Sequence, residues 1–178
     1  MNAILRASAL AGLIVMLFSA AGCTVRPMLA SQPGLAGEEK AALSAISVDP
    51  VSTRHAQEVR NHLIFLLNGG AGQPENPRYR LGLTVTTAAL DAAQIQQGSE
   101  SEPSAGIVTV TAQYRLIDSQ TGNVVAGGQE QASASFDRPL QEFAVMRAER
   151  DAEDRAAREA AEFIRLAVAQ DLVRLDTR

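Results

Sequence analysis

Tryptophan is absent from this chain, cysteine occurs once, histidine twice, and aromatic residues make up only 4% of the sequence. A single thiol can build neither an internal disulfide nor a thiolate metal cluster. With aromatics this scarce, the core has to be assembled from Leu, Val, Ile and Ala. Basic runs are missing as well: 16 Lys and Arg stand against 20 Asp and Glu, a formal charge of −4. That balance argues against a general nucleic-acid binder. No apolar run reaches the ~20 residues that a membrane-spanning helix needs.

What is present begins at the N-terminus. Arg6 supplies one positive charge, Ala7 to Ala21 is an uncharged run rich in Leu, Ile, Val, Met and Phe, and small residues close it. This is the layout of a secretory signal. The closing residues, Ala20-Ala21-Gly22-Cys23, resemble the bacterial lipobox, with Ala20 where Leu is usual. The competing reading is a plain secreted protein with a stray thiol. Lipidation of Cys23 explains the lone cysteine, and Thr24 in place of an Asp implies an outer-membrane destination. Cleavage leaves 156 residues and, because residues 1–22 hold one arginine and no acid, a charge of −5. The expected organisation is a signal peptide over 1–22, a lipidated tether over 23–42 punctuated by Pro27, Pro33, Gly34 and Gly37, and one domain over 43–178.

Within the domain, Ala45 to Val48 reads as a short strand closed by Asp49-Pro50. Val59, Leu63, Leu66 and Leu67 recur at helical spacing, Ser52 or Thr53 can cap, and Asn68-Gly69-Gly70 stops the helix, giving 54–68. Tyr79, Leu81, Leu83 and Val85 alternate with polar or small residues, a strand with one buried face that fades toward Leu90. Residues 94–105 carry no periodic apolar face and read as a long mobile loop. Alternation resumes at Val108, Val110, Ala112, Tyr114 and Leu116. A turn over Asp118 to Asn123 leads to a partner strand, Val124 to Phe136, where Gly127-Gly128 suggests a bulge.

From about Leu140 to Leu175, Val145, Ala148, Ala152, Ala156, Ala160, Ile164 and Ala167 form an apolar stripe on a long helix. Asp151 with Arg155 and Asp154 with Arg158 are acid-before-base pairs at i, i+4 on a solvated face. The fold class implied is α/β in the α+β sense, a two-layer sandwich of order β-α-β-β-β-α. Two helices then cover one face of a four-stranded, mostly antiparallel sheet. Thr109, Thr111, Gln113 and Arg115 line the other face, flat enough to meet a partner or a lipid.

Catalytic and metal-binding patterns are thin. His55, Glu58 and His62 share a helix face, but the histidines stand about 10.5 Å apart along the axis, too far for one ion, so a solvated face is expected and no metal. Gly69-Gly70-Ala71-Gly72 follows a helix, the reverse of a phosphate cradle. No Gly-x-Ser-x-Gly elbow occurs. Neither an enzyme nor a cofactor is expected.

Several pieces, taken in order, resemble one family: Cys23-Thr24-Val25-Arg26-Pro27-Met28-Leu29, Ile46-x-Val48-x-Pro50, Arg54 to Glu58-x-Arg60-Asn61-x-Leu63, and Pro77-Arg78-Tyr79-x-Leu81. Tyr114-Arg115-Leu116-Ile117-Asp118-x-x-Thr121-Gly122 and the Ala-rich closing helix extend the likeness. The chain is similar over essentially its whole length to the LptE lipoproteins of alphaproteobacterial type. That resemblance implies a lipoprotein at the periplasmic face of the outer membrane that partners the β-barrel LptD, sits as a plug inside the barrel and assists lipopolysaccharide delivery to the outer leaflet without catalysis. Arg78, Arg80 and Arg115 are then candidate contacts to lipopolysaccharide phosphate or to the barrel, since guanidinium matches phosphate bidentately; the alternative is that they simply solvate strand surfaces. The runner-up function is an auxiliary lipoprotein of an ABC-type lipid transporter.

Overall fold

A run of strong helix formers, Glu38-Glu39-Lys40-Ala41-Ala42-Leu43, opens the structured part of the chain. In the computed structural model, which describes residues 35–97 and 100–177, it lies in helix α1, Leu35–Ser44. The chain divides into Met1–Ala36 and Gly37–Arg178, and every element below belongs to the second unit apart from the first two residues of α1. Part of the stretch expected as tether is therefore helical. Leu43, 4% exposed, anchors this turn in the core, while Cys23 and residues 24–34 lie outside the described residues.

Strand β1, Ile46–Val48, pairs parallel with the start of β2, Tyr79–Gln97. Parallel neighbours need a crossover, and helix α2, Arg54–Asn68, supplies it. Its ends follow local chemistry. Thr53 is the extended residue before it, and Gly69 takes a left-handed φ of 60° and donates its N–H to Phe65 O, the usual glycine stop.

β2 turns back into β3, Glu100–Asp118, in an antiparallel ladder from Tyr79↔Asp118 to Gln97↔Glu100. Of the loop expected over 94–105, residues 94–97 and 100–105 are thus strand, and 98–99 lie outside the described residues. These residues carry no apolar alternation; the ladder registered at Val85↔Ala112 continues into them by backbone pairing, with irregularities at Asp91, Ala93 and Gln94. β4, Val124–Asp137, completes the order β1-β2-β3-β4. The bulge is at Val125: Leu116 pairs with Ala126 and Ile117 with Val124. Gly127 and Gly128 instead make room. A Cβ on Gly128 would sit 2.9 Å from the Tyr114 ring, and one on Gly127 would sit 3.1 Å from the Tyr114 carbonyl oxygen.

Helix α3, Glu142–Asp176, lays Ala152, Ala156, Ala157, Ala160, Ala161, Ile164 and Val168 against β3, β4 and α2. The architecture is a two-layer α+β fold on a mixed sheet, in the order α-β-α-β-β-β-α, with α1 the element added to the expected order. Inward strand residues, among them Leu81, Val85, Val108, Val110, Ala112 and Leu116, meet Val59, Leu63 and Ile164 in one core. Among the described residues the only buried side chains that carry a polar atom are Tyr79 and Tyr114.

Candidate functional site

The two expected surfaces of α2 and α3 prove to be one seam. Arg54 of α2 bridges Glu153 at 2.9 Å and Asp154 at 2.6 Å on α3. His55 Nδ1 lies 3.6 Å from Glu153, and His62 Nε2 3.8 Å from Glu162. The histidines therefore face a partner helix, not solvent. The Asp154 carboxylate, expected to pair with Arg158, is taken by Arg54, whereas Asp151 and Arg155 do pair at 2.9 Å. No group of three or more residues able to hold a metal ion occurs among the described residues.

The opposite face of the sheet has no described helix on it. Strand alternation sends Arg80, Gly82, Thr84 and Thr86 of β2 outward, Thr109, Thr111, Gln113 and Arg115 of β3, and Gly127, Gln129, Gln131 and Ser133 of β4. Cross-strand neighbours bind one another: Thr109 and Ser133 hydroxyls stand 2.9 Å apart, Gln113 Nε2 donates to Gln129 Oε1 at 3.0 Å, and Gln131 Nε2 donates to Thr111 Oγ1 at 3.4 Å. Most of the face is thus a flat mosaic of amides and hydroxyls without charge.

Arg115 interrupts that mosaic. Gly82 stands beside it on β2 and Gly127 on β4, so its guanidinium rises from a row with no other side chain. A shallow hollow forms there, rimmed by Thr84, Gln113 and Gln129. The side chain is exposed, and among the described residues no carboxylate lies within ion-pair reach of it. Such a site offers a bidentate cation ringed by neutral donors and acceptors, chemistry suited to a phosphate or carboxylate on a polyhydroxyl ligand.

Arg80 is on the same face, diagonal to Arg115 because it pairs with Ile117, about 7–8 Å away between backbones. It faces Asp49 loosely, 4.0 Å off, and half of its side chain is exposed. Arg78 and Arg80 line a second hollow beside the Asp118–Gly122 turn. Arg78 lies 5.1 Å from the centroid of the Tyr79 ring, and its charge helps hold Asp118 below the ordinary carboxylate value, after the larger effect of the Thr121 backbone N–H bond. The structure thus brings Arg80 and Arg115 onto one face and gives Arg78 an acidic neighbour.

The sequence pointed to the β3 side of this face. It missed the β4 side, since placing Gln129 and Gln131 opposite Gln113 and Thr111 requires the bulge at Val125. It also missed the glycine row, whose only signal is a small residue at an outward strand position.

The sequence matches the model of the LptE, lipopolysaccharide-assembly family over residues 43–168. The chain belongs to the LptE family. No curated protein matches it in sequence. Among solved structures, it is similar to a lipoprotein from Caulobacter crescentus, at 26% identity and a TM-score of 0.62 over 77% of this chain and 97% of that one. The fold also recurs in a minor lipoprotein from Acinetobacter baumannii, at 17% identity and a TM-score of 0.52 over 71% and 90% of the two chains. Rare lipoprotein B from Shewanella oneidensis shares it at 13% identity, with a TM-score of 0.51 over 74% and 96%. Family membership makes this an LPS-assembly lipoprotein. Among the described residues no helix is long and apolar enough to cross a membrane.

Proposed function

We propose that the chain is a non-enzymatic component of LPS assembly, held at the periplasmic face of the outer membrane by lipid on Cys23, where it partners the β-barrel LptD as a plug. The observation that carries this reading is the uncovered sheet face, on which Arg115 stands alone between Gly82 and Gly127. Antiparallel sheets commonly leave one polar face in water; here that face carries amides and hydroxyls around a cation with no ion-pair partner among the described residues, which suits contact with a glycolipid headgroup or with the polar lining of a barrel. Arg115 and Arg80 are the phosphate or barrel contacts on that face, and Arg78 borders it beside the 118–122 turn.

The test is affinity purification of the tagged full-length lipoprotein from detergent-solubilised outer membrane. Recovery of a stoichiometric large β-barrel protein is the expected result. Recovery of inner-membrane ABC-transporter subunits without a barrel contradicts it and favours an auxiliary transporter lipoprotein.

A further inference from the structure

Among the described residues, one edge of the sheet is almost unpaired. β1 covers three residues of β2, Tyr79 to Leu81, and Asp49 N–H adds one bond to Leu81 O. Past that point no described strand pairs with this edge of β2 as far as Gln97. Backbone groups of successive strand residues aim to alternate sides. Since Leu81 O and Val85 O both aim toward β1, so do the N–H and C=O groups of Leu83, Thr87 and Ala89. Among the described residues, only the His55 ring meets this stretch, 3.3 Å from Val85 O.

Exposed edges are normally blunted by charge, proline or a bulge. From Gly82 to Leu90 β2 has none of these: Gly-Leu-Thr-Val-Thr-Thr-Ala-Ala-Leu is uncharged and rich in strand formers. Cover also fades along its inner face, from buried Val85 through half-buried Thr87 to exposed Ala89. The β4 edge is different. Arg155 caps Ser135 O at 2.8 Å, and Ala132, Ala134 and Phe136 are already buried.

We infer that the open edge of β2, Leu83 to Ala89, accepts an extended segment of the barrel partner by strand addition, in line with β1 and beyond its end. A row of unpaired peptide groups specifies extended backbone as its occupant. The fading inner cover calls for a guest with apolar residues on the helix side and uncharged polar ones beside Thr84 and Thr86. This inference rests on the barrel-partner reading.

The test is amide hydrogen exchange on the full-length lipoprotein purified with its barrel and after separation from it. Exchange at Leu83, Thr87 and Ala89 is expected to slow at least about tenfold in the complex. Thr87→Pro, which deletes one edge N–H outside the internal ladder, is expected to cut barrel recovery by about tenfold, while Glu159→Ala on the exposed side of α3 leaves it unchanged. If Thr87→Pro does not fold, the exchange measurement on the unmodified chain decides. A bound barrel with unchanged exchange at these amides overturns the strand addition and leaves the barrel-partner reading standing. Recovery of no barrel overturns both. Protection that depends on the lipoprotein's own concentration assigns the edge to a second copy, and likewise overturns the inference.

Discussion

The Tyr114 hydroxyl donates a 2.7 Å hydrogen bond to the Asp171 carboxylate of α3, and its ring reaches there across the space that Gly128 leaves empty. Cross-strand pairing puts Tyr114 opposite Gly128, so the glycine is the condition for the bond. Gly128→Ala would bring a Cβ to 2.9 Å from the ring, a clash in a packed layer expected to destabilise the domain by about 1–3 kcal/mol. Tyr114→Phe keeps the ring and loses the bond, for about 1–2 kcal/mol. Urea unfolding of both variants checks the order. A Gly128→Ala domain as stable as the parent contradicts this account of the glycine.

The same phenol should resist ionisation. Burial, then the hydrogen bond and the negative charge of Asp171, push its pKa far above the ordinary value of 10.0. A group that holds its proton more tightly when folded adds stability below its unfolded pKa and loses it as pH rises through the folded one. The domain is therefore expected to weaken progressively above about pH 10, and Tyr114→Phe to flatten that decline. Alkaline absorbance titration combined with melting curves measures both. An unchanged slope in Tyr114→Phe rules out this source.

Asp118 carries the opposite sign. Its Oδ1 accepts from the Thr121 N–H at 2.8 Å, the Gln120 N–H at 2.9 Å and the Thr121 hydroxyl at 3.1 Å, which lowers its pKa, the Thr121 backbone bond most of all. Its contribution is present above the ordinary carboxylate value and disappears as pH falls through the lowered one. Asp118→Ala is expected to lower the melting temperature at neutral pH and to leave it near the parent's in strong acid. An equal loss at both pH values contradicts the assignment.

Arg115 should matter to function far more than to folding. It is exposed and unpaired, so Arg115→Ala is expected to change stability by no more than about 0.5 kcal/mol. On the proposed reading, cells relying on that variant lose outer-membrane barrier strength, seen as sensitivity to large hydrophobic antibiotics, while Arg158→Ala on exposed α3 does not. Matching phenotypes from the two variants would remove Arg115 from the site.

Legibility in the sequence followed how local each signal was. The bounds of α2 could be read because Thr53, Asn68 and Gly69 mark them within one turn. The inward and outward residues of β3 could be read because Val108 to Leu116 alternate without a break. α1 was hidden by Pro33, Gly34 and Gly37, which resemble linker punctuation and outweighed the helix-forming run beside them. The pairing of 94–97 with 100–103 was hidden because those residues carry no apolar alternation, and a register carried along from Val85↔Ala112 leaves no local mark. At the site, Arg115 was visible, but its glycine neighbours were not. Their alignment depends on register across three strands, and the one-residue bulge at Val125 sets it. The pairing of His55 and His62 with α3 was hidden for a similar reason, since a helix face shows its period but not what passes in front of it.

The central claim is that the bare sheet face, not the helical layer, meets the barrel. Site-specific photocrosslinking in living cells tests this most directly, with the crosslinker placed at Gln113 on that face or at exposed Glu159 on α3. The account predicts a crosslinked product between the lipoprotein and a large outer-membrane β-barrel from position 113 and none from position 159. A barrel adduct from 159 with none from 113 would contradict it.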